Sequence, residues 1–223
     1  MDIHARGPLA VILGVLALAA CSPEPRPAFP VGLLEPVSPR IADEARRLGL
    51  EISAQSPPGA AVVPAGRPSG SGEAAADWAR LRFLTAHAIA GGANGVFLLL
   101  PHTPPGHDLL EYGEEWQAVE RVIGELMTMR PIMQGGLPAP APFVVPAGIE
   151  IRSWVFRGRR YVLLVNPSAA RLPVKGENLA PWRALFGVRS DPRQVLAASG
   201  TDCFLPPGGV LWLEGRLLPE ILP

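Results

Sequence analysis

The spacing of hydrophobic and polar residues changes along the chain and predicts two kinds of structure. In the first half, segments with apolar residues at helical spacing alternate with short apolar runs, which is typical of helices that cover buried parallel strands. In the second half, apolar and polar residues alternate one by one, as in strands with one covered face. The pattern therefore predicts an α/β part followed by an all-β part.

The α/β part is predicted to contain three strands and three helices. Ser38 is a candidate N-cap and Gly49 a candidate C-cap of the first helix, and Pro131 is expected to end the third. The predicted elements are a strand at 31–34, a helix at 39–48, a strand beginning at 50, a helix from 73 to about 90, a strand at 96–100 and a helix from 114 to 130.

Residues 55–72 interrupt this part with a low-complexity sequence. Pro, Gly, Ala and Ser dominate it, and Arg67 is its single charged residue. Such a composition predicts a loop, although connections of this length are uncommon in compact domains.

The all-β part begins after the proline-rich junction "GGLPAPAPFVVP". "IEIRSWVFRGRRYVLLV" predicts a β-hairpin that turns at Arg157 and Gly158. Further short strands are predicted at 171–174, 184–188, 194–196 and 210–214. Together they favour an antiparallel β-sandwich over residues 143–216, and the sparse junction favours an independent unit.

The N-terminus predicts export. A short basic start and an apolar stretch at 8–20, too short to cross a bilayer as a folded helix, indicate a signal peptide over residues 1–20. "LAAC", ending at Cys21, resembles the lipobox of bacterial lipoproteins. The resemblance implies that Cys21 is acylated and holds the protein at a membrane, with residues 21–30 as a proline-rich tether. By resemblance to the sorting pattern of Gram-negative lipoproteins, Ser22 after the cysteine implies the periplasmic side of the outer membrane if the cell is Gram-negative.

Charge and cysteine content narrow the candidate functions. Twenty basic and twenty acidic residues give a formal net charge of zero, without blocks of like charge, so neither nucleic acid nor a polybasic membrane patch is indicated. If Cys21 carries lipid, Cys203 has no disulfide partner and stability depends on the core. "GGANG" precedes a strand instead of following one, so no dinucleotide motif or other cofactor is indicated.

Several segments resemble glycoside hydrolases. The end of their (β/α)8 barrel resembles one stretch of this chain: a helix, a double glycine, the "GANGVFLLL" strand and a Trp-containing helix ending in "RPI". The start of that barrel is similar to "FPVGLLEP" with "ADEARRLGLEIS". "YVLLVNPS", "LFG" and "LPPGGVLWLE" resemble their C-terminal β-sandwich. A full barrel needs about 200 to 250 residues, whereas residues 31–134 supply at most about half of that. The resemblance therefore implies an incomplete, TIM-barrel-like α/β part.

The loop after the 96–100 strand holds the candidate site residues. It leaves the carboxyl end of a strand, where ligand sites of α/β folds form. Asp108 and Glu111 are the catalytic candidates, since a hydrophobic neighbour could make either a general acid. His102 and His107 are candidate binding residues.

Plainer interpretations compete with this one. Glu114 and Glu115 open a helix, where carboxylates are favourable to its dipole. His102, His107, Asp108 and Glu111 match no closed metal motif, so no metal is predicted. The loop is then chiefly the solvated exit of a buried strand.

Glycosidase chemistry requires two carboxylates about 5 to 9.5 Å apart. Only Glu35 and Glu51 are obvious partners for Asp108 or Glu111. The sequence thus predicts a non-catalytic, lipid-anchored envelope protein with glycan binding as a candidate role. An active glycoside hydrolase is the alternative, and a decayed gene product stays open as a third reading.

Overall fold

The structure, a computed structural model, describes residues 28–65, 74–101, 109–175, 182–186 and 203–216. The predicted signal peptide, Cys21, most of the tether and the predicted strand at 194–196 lie outside these ranges. Within them, no helix combines the length and apolar character that a membrane span requires.

Four parallel strands and three helices make up the first part of the chain. The strands pair in the order β2-β1-β4-β3. Their bounds are β1 Val31–Leu34, β2 Glu51–Ser53, β3 Ala61–Pro64 and β4 Val96–Leu99. The helices are α1 Pro39–Arg47, α2 Ala74–Ala90 and α3 Gly113–Gly135, and a 3-10 turn at Leu109–Glu111 precedes α3.

Ser38 is the N-cap of α1, as predicted, whereas the C-cap is Leu48, one residue before the predicted Gly49. The Ser38 hydroxyl accepts a hydrogen bond from the backbone N–H of Ile41 at 3.2 Å and satisfies one of the free donors of the first turn. Gly49 follows the helix with a φ of 74°, a conformation that costs glycine little.

The predicted burial of the 96–100 strand is confirmed for its first three residues, whereas Leu99 is 40% exposed. Val96, Phe97 and Leu98 are fully buried, and β4 pairs in parallel with β1 on one side and β3 on the other. On β1, Gly32 leaves room for the Phe97 ring, since a Cβ there would lie 2.6 Å from it. Both faces of β4 are therefore covered over Val96, Phe97 and Leu98, as in a parallel sheet that helices enclose.

The prediction of a loop over 55–72 is wrong for residues 61–64. These residues form β3, the outermost strand beside β4, with Val63 buried against the helices. Two adjacent valines favour a strand, but a run this short between prolines and glycines gives little periodic signal.

Pro131 does not end α3 as predicted. The helix continues to Gly135 with Pro131 inside it. Proline removes one helical hydrogen bond, but Ile132 just beyond it is buried in the core and keeps the last turn in place.

Antiparallel sheets form the second part. One has five strands in the order β5-β6-β7-β11-β9, and the other pairs β10 with β8. The bounds are β5 Leu137–Ala139, β6 Glu150–Phe156, β7 Arg159–Val165, β8 Leu172–Val174, β9 Trp182–Ala184, β10 Cys203–Leu205 and β11 Val210–Arg216. Arg157 and Gly158, with φ of 48° and 70°, form the predicted hairpin turn.

The two faces of the five-stranded sheet belong to different cores. One face packs with the two-stranded sheet around Val162, Leu164 and Leu213. The other face carries Trp154, Leu163 and Trp212 into the core of the α/β part, beneath α2 and α3. Helices of the α/β part cover one of the two faces of this sheet. This packing argues against the prediction that the strand-rich part is an independent unit.

Candidate functional site

The predicted loop site is described only at its end. His102, His107 and Asp108 lie outside the described residues. Glu111 closes the 3-10 turn with its side chain 45% exposed, and its Oε1 lies 3.8 Å from Nη1 of Arg40 at the start of α1. It is thus an exposed carboxylate paired with a surface arginine, near the carboxyl end of the parallel sheet.

Glu51 is not brought near Glu111. Its carboxylate lies 3.6 Å from Nη2 of Arg130 on α3. Glu111 lies two residues before α3, and at 1.5 Å per residue the backbone of Arg130 lies about 25 Å beyond the start of that helix. This separation exceeds the roughly 5 to 9.5 Å that a two-carboxylate mechanism needs. Glu35, directly after β1, is the remaining predicted partner at the edge where Glu111 lies.

The acidic start of α3 confirms the helix-start interpretation. Glu114 and Glu115 both lie in its first turn, where a carboxylate stabilises the positive end of the helix dipole. Within the described ranges, no group of three or more His, Cys, Asp or Glu side chains comes together as metal ligands would.

A cleft of about 230 Å³ lies at the opposite edge of the parallel sheet, where its strands begin. Phe29 precedes β1 and Asn94 precedes β4, while Gln134 lies at the end of α3. Arg152 and Trp154 of β6 complete it. The two parts of the chain therefore build the cleft together, a common position for ligand sites.

Arg152 is the charged group of this cleft. Its Nη1 donates to the carbonyl oxygens of Ile89 at 2.5 Å and Ala93 at 3.5 Å, at the end of α2 and just beyond it. Its guanidinium carbon lies 5.2 Å from the ring centroid of Trp154. Burial lowers the pKa of Arg152, although an arginine remains charged at neutral pH.

The tryptophans serve mainly as core. Trp154 and Trp212 are 2% and 3% exposed and stack on each other with centroids 5.9 Å apart. Trp182 contacts Phe143 edge-to-face at 5.8 Å. Trp154 and Trp212 are therefore part of the core and offer little open ring surface.

His87 joins α2 to the strand-rich part. Its Nδ1 lies 2.7 Å from Oε2 of Glu150 on β6, and its ring stacks on Phe83 with centroids 5.5 Å apart. The His87 side chain is 44% exposed, so this contact lies at the surface.

Comparisons with known proteins give weak likenesses to carbohydrate-active enzymes. Neither a family model nor a curated protein matches the chain. Among solved structures, Eubacterium rectale Amy13B shares 16% identity over 80% of this chain and 42% of its own, with a TM-score of 0.45. A GH30 endoxylanase from Clostridium papyrosolvens shares 12% identity over 81% of this chain and 45% of its own, with a TM-score of 0.38.

AmyP, solved in complex with maltose, shares 11% identity over 62% of this chain and 35% of its own, with a TM-score of 0.39. The chain thus spans less than half the length of each of these three proteins. At these identities and TM-scores, the likeness identifies neither a substrate nor a catalytic residue.

Sequence reasoning missed the cleft because its residues come from four distant segments. The one indication in the sequence was the pair of charged residues at alternate positions of β6. Glu150, Arg152 and Trp154 alternate along the strand and share one face, and that face packs against α2 and α3. Charged residues on a covered face are uncommon, so they indicate a place where polar partners or a ligand are needed.

Proposed function

We propose that the chain is a bacterial envelope lipoprotein that binds a glycan without hydrolysing it. Cys21 is its lipid anchor, and residues 21–30 hold the folded part away from the membrane. In this proposal the α/β part is a shortened glycoside-hydrolase barrel, and the antiparallel sheets form a β-sandwich.

Strand order supports the barrel origin. In a closed (β/α)8 barrel the last strand pairs with the first. Here β4, the last parallel strand, pairs with β1, the first, and each is flanked by one further parallel strand. The helices α2 and α3 follow β3 and β4 as barrel helices would. This arrangement is expected if the first two and last two strands of a barrel persist without the middle four.

The cleft at Arg152 is the observation that carries the binding role. It combines a concave surface, an apolar floor of Phe29 and Trp154, and hydrogen-bonding side chains from Asn94, Gln134 and Arg152. Such a mixture is typical of sites for small polar ligands. Its volume is below the roughly 300 to 1,000 Å³ of drug-sized sites, which suits a single sugar ring.

The positions of the carboxylates support binding without turnover. Glu51 is paired with Arg130 far from Glu111, and Glu111 is itself paired with Arg40. The cleft lies at the edge of the sheet opposite to the one where barrel enzymes place their catalysis. The hydrolase alternative requires Glu35 to act with Asp108 or Glu111.

A glycan array probed with the full chain in detergent micelles tests the proposal. The variant Gln134→Ala removes a polar group of the cleft and should weaken binding of the positive glycans about three- to tenfold, the value of one hydrogen bond. Gln117→Ala is the matched control, since Gln117 is also exposed on α3 but lies outside the cleft. Absence of any bound glycan, or equal effects of the two variants, would refute the proposal.

A further inference from the structure

Arg152 has no carboxylate partner among the described residues. Some other arginines of the fold do have one: Arg82 is bound to Glu125, and Arg159 and Arg183 share Glu214. Arg152 instead contacts carbonyl oxygens and a ring. Its positive charge is therefore half-buried without a counter-charge, which is an unfavourable arrangement in the absence of a ligand.

The guanidinium group keeps hydrogen-bonding capacity toward the cleft. Arginine has five N–H donors, and the contacts to Ile89 and Ala93 use only Nη1. Nε and Nη2 have no protein partner in the part of the chain that the structure describes, and neither is sealed from solvent. These two nitrogens form one edge of the planar guanidinium group, the geometry that binds both oxygens of a carboxylate.

The rest of the lining favours an anion. Among the described residues that line the cleft, Arg152 is the only ionisable one. Asn94 and Gln134 add amide donors, and neither aspartate nor glutamate is present to repel a negative ligand.

We infer that the cleft binds a sugar that carries a carboxylate, such as a uronic acid, with Arg152 as the group that binds the carboxylate. This inference rests on the proposed glycan-binding function and adds the ligand class. A carboxylate matches the single positive charge of the site, whereas a phosphate monoester carries nearly two negative charges. Buried Trp154 offers little open ring surface, so charge supplies the recognition that stacking does not.

Calorimetric titration of the full chain in detergent micelles tests the inference with three probes. They are methyl β-D-glucuronoside, its uncharged counterpart methyl β-D-glucoside, and glucose 6-phosphate. The glucuronoside should bind at least tenfold more tightly than the glucoside and more tightly than the phosphate, and its affinity should fall as salt is added.

Two variants connect this preference to Arg152. Arg152→Gln should abolish the preference, so that the glucuronoside and the glucoside bind the variant with equal affinity. Arg160→Gln is the control for loss of a buried arginine, because Arg160 is on the neighbouring strand, binds Pro140 and lies outside the cleft; it should keep the preference. If Arg152→Gln fails to fold, Arg152→Lys retains the charge without the planar edge and should keep only part of the preference.

Each contrary result has a distinct meaning. Equal affinity for the glucuronoside and the glucoside would overturn the inference and leave the glycan-binding proposal standing. A preference that survives in Arg152→Gln, or tighter binding of the phosphate, would also overturn it. No binding of any probe, with an array that is negative as well, would refute both the inference and the proposed function.

Discussion

Replacing Arg82 with methionine should destabilise the protein by about 3 to 5 kcal/mol, because it breaks a buried ion pair. Arg82 is 6% exposed on α2, and its Nε donates to both oxygens of Glu125 on α3, at 2.9 and 2.8 Å. Its Nη1 donates to the backbone oxygen of Val210 on β11 at 2.9 Å. One side chain thus joins two helices to the five-stranded sheet.

The expected cost comes mainly from the carboxylate left behind. The side chain of Glu125 is 14% exposed, and burial raises its pKa while Arg82 opposes that rise. Without Arg82 the buried carboxylate must stay unpaired or take up a proton. In the variant its folded-state pKa therefore rises further above the unfolded value of about 4.3. The destabilisation should consequently shrink as the pH falls toward 4.

A double variant distinguishes the net contribution of the ion pair from the cost of leaving one charge unpaired. Arg82→Met with Glu125→Leu removes both charges and should recover most of the stability, since buried pairs replaced by apolar residues are often near neutral. The buried Nη2 of Arg82, which lacks a partner among the described residues, favours this recovery. Arg46→Met is the control, because Arg46 pairs with Asp43 at the surface and should leave stability unchanged.

Urea unfolding followed by circular dichroism at pH 7 measures these differences. The reasoning fails if Arg82→Met costs less than about 1 kcal/mol, or if the double variant is no more stable than the single one.

Three further predictions follow from other residues. Phe97→Ala should cost about 3 to 5 kcal/mol in urea unfolding because Phe97 is fully buried, and a cost near zero would mean that its surroundings collapse without penalty. Burial raises the pKa of Glu214, but hydrogen bonds and charges from Arg183 and Arg159 outweigh it and leave the pKa lowered. Stability should therefore fall below about pH 4.3 as Glu214 is protonated, and Glu214→Gln should flatten that decline; unchanged acid sensitivity would contradict this. Cys21→Ser should release the chain from the membrane fraction or leave its signal uncleaved, and unchanged fractionation without incorporation of labelled fatty acid would refute the anchor.

Local structure was predictable where one residue decides it. Ser38 and Gly49 specify the ends of α1 through a side-chain oxygen and a positive φ. The apolar run of β4 is typical of a strand buried in a parallel sheet, and Val96, Phe97 and Leu98 are buried in one. The mixed α/β character of the chain was therefore accessible from the sequence.

Pairings between segments that are distant in the sequence could not be predicted. Nothing local in Ala61–Pro64 shows that β3 lies beside β4, because the residues of β4 that pair with it come more than thirty positions later. Alternation in β6 and β7 predicts a covered face but does not identify α2 and α3 as its cover. The shared core and the shared cleft both depend on that packing.

The candidate site shows the same limit. The carboxylate pairing that the sequence left open depends on which edge of the sheet each residue occupies, and the ion pair with Arg130 decides it for Glu51. The lack of a counter-charge at Arg152 becomes visible only after its neighbours from α2 and α3 are known.

Binding and hydrolysis measured on one sample would test the central claim most directly. The full chain is titrated with a glycan that is positive on the array, and release of reducing ends is then followed over many hours at saturation. The account predicts saturable binding that Gln134→Ala weakens, without release above the protein-free rate. Turnover that Asp108→Ala or Glu111→Gln abolishes, with stability unchanged, would contradict it and place a working active site in the loop before α3.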